Sequence, residues 1–187
     1  FDVHLVYRYP KPDVITDEQK DYIANFVDSM EVALYGDQFA DPVTGYRQYL
    51  DIESFIDYFL LNEVSRNHDG FKKSRFFFKD KASNGGKLKA GPTWDFDWAW
   101  KNLYACSETE NVTGEGWAYL INNCPTDNYS PDWYVRLFQD TTFANHMRCR
   151  YEEYRYDFLN SNYLHAYIDS VAALVEEPAG RHYQKWP

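Results

Sequence analysis

Apolar residues recur at Ile23, Phe26, Val27, Met30 and Leu34, the spacing of one helical face. Thr16 stands ahead of this run with Gln19 three positions on, the arrangement of a capping box. Gly36 and the stretch Asp41-Pro42-Val43-Thr44-Gly45 end it. A second helical face follows at Ile52, Phe55, Ile56, Phe59, Leu60 and Val64. Asp51 is its natural N-cap, and it closes just before Asn67-His68-Asp69-Gly70. The period then changes. Residues 74–78 read as a buried strand and 87–90 as its return. Between them, 80–86 reads as a hairpin loop with glycines where positive φ is wanted. Gly91-Pro92 breaks the second strand. Near the start, residues 2–8 alternate weakly and read as a further strand, followed by a proline-fixed turn at Tyr9-Pro10-Lys11-Pro12-Asp13. Residues 101–130 are polar and predict a long ordered loop with one short helix. Helices resume at 132–138, at 141–159 with Phe143, Met147, Tyr151, Tyr154 and Phe158 on one face, and at 163–175. The expected class is α+β: mostly helical, with a small β-hairpin.

Composition adjusts this picture in three ways. Aromatics make up 19% of the 187 residues, a surplus that either fills the core or lines an exposed platform. Net charge is −10, and no basic tract is present, so the chain lacks the clustered Lys and Arg that nucleic acid requires. No apolar stretch is long enough to form a transmembrane segment. The sequence opens on Phe1 and closes on Lys185-Trp186-Pro187, so it reads as a piece of a longer chain, and missing targeting signals say nothing about location. Cys106, Cys124 and Cys149 fit no zinc spacing. Cys106 and Cys124 bracket one polar loop and are the candidate disulfide, against three reduced thiols as the alternative.

Two acidic loops carry the candidate chemistry. The first holds Asp69 after the second helix. The second, Trp94-Asp95-Phe96-Asp97, follows the hairpin. A hairpin between two loops returns the chain to the same end of a structure. Asp69 reads as a group that orients or deprotonates a hydroxyl, and Asp95 with Asp97 as metal ligands. Carboxylates set among Trp94, Phe96, Trp98 and Trp100 are costly to bury unpaired, a cost that a cation removes. The plainer readings are turn chemistry at Asp69-Gly70 and a strand with one wet face at 94–98. His68 reads as a hydrogen-bonding scaffold residue. Lys87 solvates a strand face or reaches a phosphate. A glycosidase would also need two carboxylates across a cleft, and Asp69 with Asp95 fits that on paper.

Helix, acidic loop, two strands, acidic loop is also the order in which protein kinases place their base and their metal ligand. In residues 51–70, 73–80 and 86–97 the sequence resembles the spore-coat protein H (CotH) kinase family, and is especially similar to versions from exported proteins of gut Bacteroidetes. The flanks, from Tyr9-Pro10 with Thr16-Asp17-Glu18-Gln19-Lys20 to Arg181-His182-Tyr183-Gln184-Lys185-Trp186-Pro187, carry the same likeness. The resemblance implies a single unit over 1–187, the C-terminal lobe of an atypical kinase whose nucleotide-gripping lysine, glutamate and glycine-rich loop lie upstream. It implies ATP with Mg²⁺ or Mn²⁺, and phosphate transfer to Ser or Thr hydroxyls of a protein substrate at the cell surface. Location would be exported, periplasmic or at the surface. Asp69 would be the catalytic aspartate, and Asp95, with Asp97 beside it, the metal ligand. Where ordinary kinases place a metal-binding Asn five residues after the base, this chain has Ser74, a weaker ligand. A piece lacking the upstream groups is expected to be inactive alone. The alternative is an adhesion or carbohydrate-binding module on the same scaffold, which the aromatic excess and Ser74 favour.

Overall fold

The computed structural model describes residues 3–100, 108 and 115–187. Its elements are α1 (Asp17–Tyr35), α2 (Ile52–Val64), α3 (Asp69–Lys72), β1 (Phe77–Lys79), β2 (Leu88–Ala90), α4 (Trp133–Leu137), α5 (Thr141–Tyr156) and α6 (Ser161–Lys185). Short 3₁₀ turns lie at Tyr46–Gln48, Ala82–Asn84 and Ala118–Asn123. Helix, 3₁₀ turns included, takes 55% of the described residues, which also hold one two-stranded antiparallel sheet, and this fixes the class as α+β with a helical bulk. The chain forms two compact units, Phe1–Ala144 and Asn145–Pro187, and the division falls inside α5.

In the first unit the helices begin where side-chain chemistry starts them. Thr16 Oγ1 accepts the Gln19 N–H at 3.3 Å, and Gln19 Oε1 accepts the Thr16 N–H at 3.0 Å, closing the capping box of α1. Asp51 Oδ1 accepts the Ser54 N–H at 3.1 Å to start α2. β1 and β2 pair in the register Phe77↔Ala90, Phe78↔Lys89, Lys79↔Leu88, and Gly85 and Gly86 take positive φ in the loop. β2 has a partner on its other edge too. Leu88 N–H donates to Tyr49 O at 2.7 Å, and Asp51 N–H donates to Leu88 O at 2.9 Å. The hairpin is thereby fastened to the start of α2.

The aromatic surplus goes largely into the core around α2. The Phe59 ring lies 5.0 to 5.9 Å from those of Phe71, Tyr119, Tyr134 and Phe138. One turn earlier, Phe55 stacks on Phe77 of β1 at 5.8 Å and meets Tyr134 at 6.0 Å. Such pairs contribute about 0.5–1.5 kcal/mol each beyond their buried area. One helix face therefore holds α3, the hairpin and α4 together.

Three expectations are corrected. Residues 3–8 form no strand, because no neighbouring chain among the described residues offers them a ladder. β1 starts at Phe77 rather than 74, because the Ser74 amide is committed to Asp69 O at 2.8 Å. In the second unit α6 continues past Val175 to Lys185 with Pro178 inside it. Glu177 and Arg181, one turn apart across that proline, pair at 2.8 Å, an i,i+4 link that supports the extension. No residue of α6 is buried.

A buried charge cluster closes the first unit. Asp140, 4% exposed, accepts the Tyr46 hydroxyl at 2.8 Å, pairs with Arg47 at 2.6 Å and accepts the Thr142 N–H at 2.8 Å. Burial works against its charge, but the bonds from Tyr46, Arg47 and Thr142 outweigh it and hold the carboxyl below its ordinary value. Asp140→Ala should cost about 3 kcal/mol, since it strands buried partners. A depressed folded pKa stabilises above the unfolded value of about 3.9 and loses that contribution as pH falls through the folded value. Denaturant titrations should therefore show the wild type losing stability from neutral to acid pH, and Asp140→Asn losing less. Equal losses would take Asp140 out of the acid response.

Candidate functional site

The first acidic loop is set by the end of α2. Asn62 Nδ2 donates to Tyr58 O at 2.8 Å, and Asn67 Nδ2 donates to Asn62 Oδ1 at 2.9 Å. Asn67 N–H closes on Asn62 O at 2.8 Å. This amide pair occupies the space where Gly70 passes. A Cβ on Gly70 would lie 1.9 Å from Asn62 Oδ1, so glycine is needed here for close approach and not for a left-handed turn. Tyr58 adds a bond from its hydroxyl to Gly70 O at 2.8 Å. Asp69 opens α3 on this support with its side chain 17% exposed.

The second acidic loop is tied at both ends. Gly91 N–H donates to Phe76 O at 2.9 Å, and Trp100 N–H donates to Ser65 O at 2.8 Å. That second bond lands on the residue that caps α2, four positions before Asp69. Between the ties, Asp95 has φ +61°, a left-handed conformation that costs most residues about 1–2 kcal/mol and that, after Gly, Asn and Asp tolerate better than most. The two loops meet at Ser74. Its N–H donates to Asp69 O at 2.8 Å, and its Oγ donates to Asp95 Oδ2 at 3.2 Å.

Asp95 and Asp97 are exposed, and so are Trp94, Trp98 and Trp100. The rings flank these carboxylates without burying them, so the desolvation argument for a cation loses its premise. Lys87 is exposed just ahead of β2, at the hairpin-loop end, with the strand between it and Asp95. His68 is buried. Its Nε2 lies 2.9 Å from Glu108 O, which places the ring proton on Nε2, and burial pushes the imidazole below its ordinary value. That is a scaffold geometry. His68 Nδ1 and Asn67 Oδ1 are buried and have no partner among the described residues. Cys124 is disulfide-bonded and Cys149 is free. Cys106 lies outside the described residues. Among the described residues no three His, Cys, Asp or Glu side chains are grouped to hold a metal.

Several residues that hold the site escaped the sequence reading. Arg66, at φ +53°, donates to Gly116 O at 2.8 Å, Glu115 O at 2.9 Å and Glu108 O at 3.0 Å. Glu63 accepts the Ala118 and Tyr119 N–H groups at 2.7 and 3.1 Å, starting the Ala118–Asn123 turn. Burial pushes the Glu63 carboxyl up, against those two donors and Arg66. Lys72 sits beside Asp69 at 3.5 Å and pairs with Asp127 at 3.0 Å. Apart from the i,i+3 pairs Glu63–Arg66 and Asp69–Lys72, their partners are backbone groups or distant side chains, which no local pattern announces.

Two carboxylate loops are thus joined through one serine and carried on a helical body with a hairpin. The family model described as CotH kinase protein matches residues 3–187. The chain belongs to that family, and a kinase-like function comes with it. No curated protein and no solved structure matches it. No helix of the described residues is long and apolar enough to cross a membrane.

Gly70→Ala should destabilise the chain by about 1–3 kcal/mol, the range for overpacking a fitted interior. Adding Asn62→Ala should recover part of that loss, because the clash is with the Asn62 carboxamide. Melting curves of the single and double variants check this, and the account of Gly70 fails if the double variant is the sum of its parts.

Proposed function

We propose that this chain carries the acidic groups of an exported, metal-dependent protein kinase that moves phosphate from ATP to Ser or Thr hydroxyls of a surface protein. One observation supports this above the others: Ser74 bonds the Asp69 backbone carbonyl through its N–H and the Asp95 carboxylate through its hydroxyl, so one residue links the two acidic loops. Asp69 takes the proton of the acceptor hydroxyl. The freed oxygen bonds to the terminal phosphorus, whose bond to the bridging oxygen breaks, and a nucleoside diphosphate leaves. Asp95 and Asp97 would hold Mg²⁺ or Mn²⁺. The donors fit that ion, since Mg²⁺ is commonly bound by one or two carboxylates plus phosphate oxygens and needs no all-protein cage. When bound, the ion supplies charge neutralisation at the phosphate oxygens. Ser74 spends its hydroxyl on Asp95, which makes it a holder of that carboxylate in place of a second metal ligand. The disulfide at Cys124 agrees with an oxidising compartment outside the cytosol.

The exposed rings of Trp94, Trp98, Trp100 and Trp117 favour one other reading, a carbohydrate-binding module. The two are separable. In the full-length protein, Asp69→Asn should cut labelling of a protein substrate by about 10²-fold or more while leaving the melting temperature unchanged. Labelling that survives removes Asp69 as the base. Asp95→Asn keeps a residue that tolerates left-handed φ and should weaken Mg²⁺-dependent nucleotide binding. Calorimetry showing unchanged metal affinity would remove Asp95 from that role. Glycan binding without any phosphate transfer would move the case to the module.

A further inference from the structure

Asp127 follows the Ala118–Asn123 turn and reaches back to α3. Its two oxygens are shared between consecutive lysines. Lys72 Nζ meets Oδ1 at 3.0 Å, and Lys73 Nζ pairs with Oδ2. The Lys72 ammonium also faces Asp69 Oδ1, at 3.5 Å. Charge-assisted hydrogen bonds lie at about 2.7–2.9 Å. Lys72 is therefore hydrogen-bonded to Asp127 but only electrostatically paired with Asp69. A lysine on a flexible stem, left with one carboxylate neighbour, would close on it and occupy an oxygen. Asp127 prevents that closure. Asp127 is 57% exposed, and exposed ion pairs add only about 0–1 kcal/mol, so stabilising the fold does not explain the arrangement. A cavity of about 280 Å³ lined by Val3, His4, Lys72, Asp127, Asn128 and Tyr129 adjoins the pair, so packing does not fix Lys72 from that side.

We propose that Asp127 is a positioning residue for phosphoryl transfer: through Lys72 it keeps a cation beside Asp69 while leaving both Asp69 oxygens free for the acceptor's proton. This rests on Asp69 acting as the base. Without Asp127, Lys72 turns to Asp69, and the base is masked in the complex with substrate. The loss then falls on kcat rather than KM.

The test uses the full-length protein and the labelling assay. Asp127→Asn should lower kcat by about tenfold to a hundredfold, the scale of a misplaced reacting group. KM for nucleotide and acceptor should stay within about twofold and melting should be unchanged, while Asp127→Glu should restore most of the rate. In a Lys72→Ala background, Asp127→Asn should have no further effect, because the two act as one unit. Wild-type kcat in Asp127→Asn overturns the proposal. So does a rate loss that Asp127→Glu fails to rescue, or one that persists at full size in the Lys72→Ala background. Asp69→Asn run alongside separates the two levels. If it still labels, Asp69 is not the base, and the role of Asp127 falls with it. If it is dead while Asp127→Asn is normal, only the role of Asp127 falls.

Discussion

The buried end of α2 is the constraint on which the site depends. A helix leaves its last carbonyls without partners inside it, and a buried end must find them elsewhere. Here each bond made for that purpose also docks a loop. Asn62 O takes the Asn67 N–H, which sets the path into Asp69. Glu63 O takes the Arg66 N–H, and Ser65 O takes the Trp100 N–H, which brings the second acidic loop back to the first. The Glu63 carboxylate takes two more amides and holds the segment at 118–119. The convergence of Asp69 and Asp95 thus follows from satisfying backbone groups. Between the loops themselves the one direct attraction described is the Ser74 hydroxyl on Asp95.

Aromatic packing and buried charge share the work beneath this. Phe55 and Phe59 give α2 a face that the hairpin, α3 and α4 all touch. Arg75 passes through the same region. It donates to Phe71 O at 2.8 Å and lies over the Phe77 ring at 5.1 Å. Burial pushes its guanidinium down to about 10, which still leaves it charged near neutrality. Rings and a carbonyl serve it in place of a carboxylate, a role that Arg fills better than Lys because its flat, weakly hydrated head stacks. Arg66 differs: it adds three carbonyls to an ion pair with Glu63 at 3.5 Å.

Much of this was legible in the chain. The Thr16 capping box, the Asp51 cap, the hairpin and its glycines, and the placement of both acidic loops follow from local chemistry, which reads directly from neighbouring residues. The misses are nonlocal. The alternation in residues 3–8 says nothing about whether a partner strand exists. Gly70 looks like turn chemistry, and only the Asn62 side chain, a helical turn or more away, reveals that it answers a steric demand. The pairing of Lys72 with Asp127 spans 55 positions, and no spacing rule reaches that far. The rings around Asp95 suggest burial from composition, whereas the loop that carries them is exposed.

The two aspartates differ in a way that suits the proposed division of labour. Asp69 sits on a short helix braced by Tyr58, Asn62 and Asn67, and its side chain is mostly covered. A group that must meet one hydroxyl in one orientation gains from such bracing, because misplacement by an ångström can cost about a hundredfold. Asp95 is exposed, sits in a left-handed backbone and, among the described residues, is steadied through Ser74. A carboxylate that shares an ion with incoming phosphates needs access and some freedom to follow them, and full bracing would hinder that. Asn in place of Ser74 would present a second ligand to that ion, as the pattern of ordinary kinases implies. Serine instead donates its short hydroxyl to the one carboxylate already there. On the proposed reading Ser74 ties the Asp69 carbonyl to the Asp95 carboxylate, a well-held base beside an open ligand, which suits a single cation more than two.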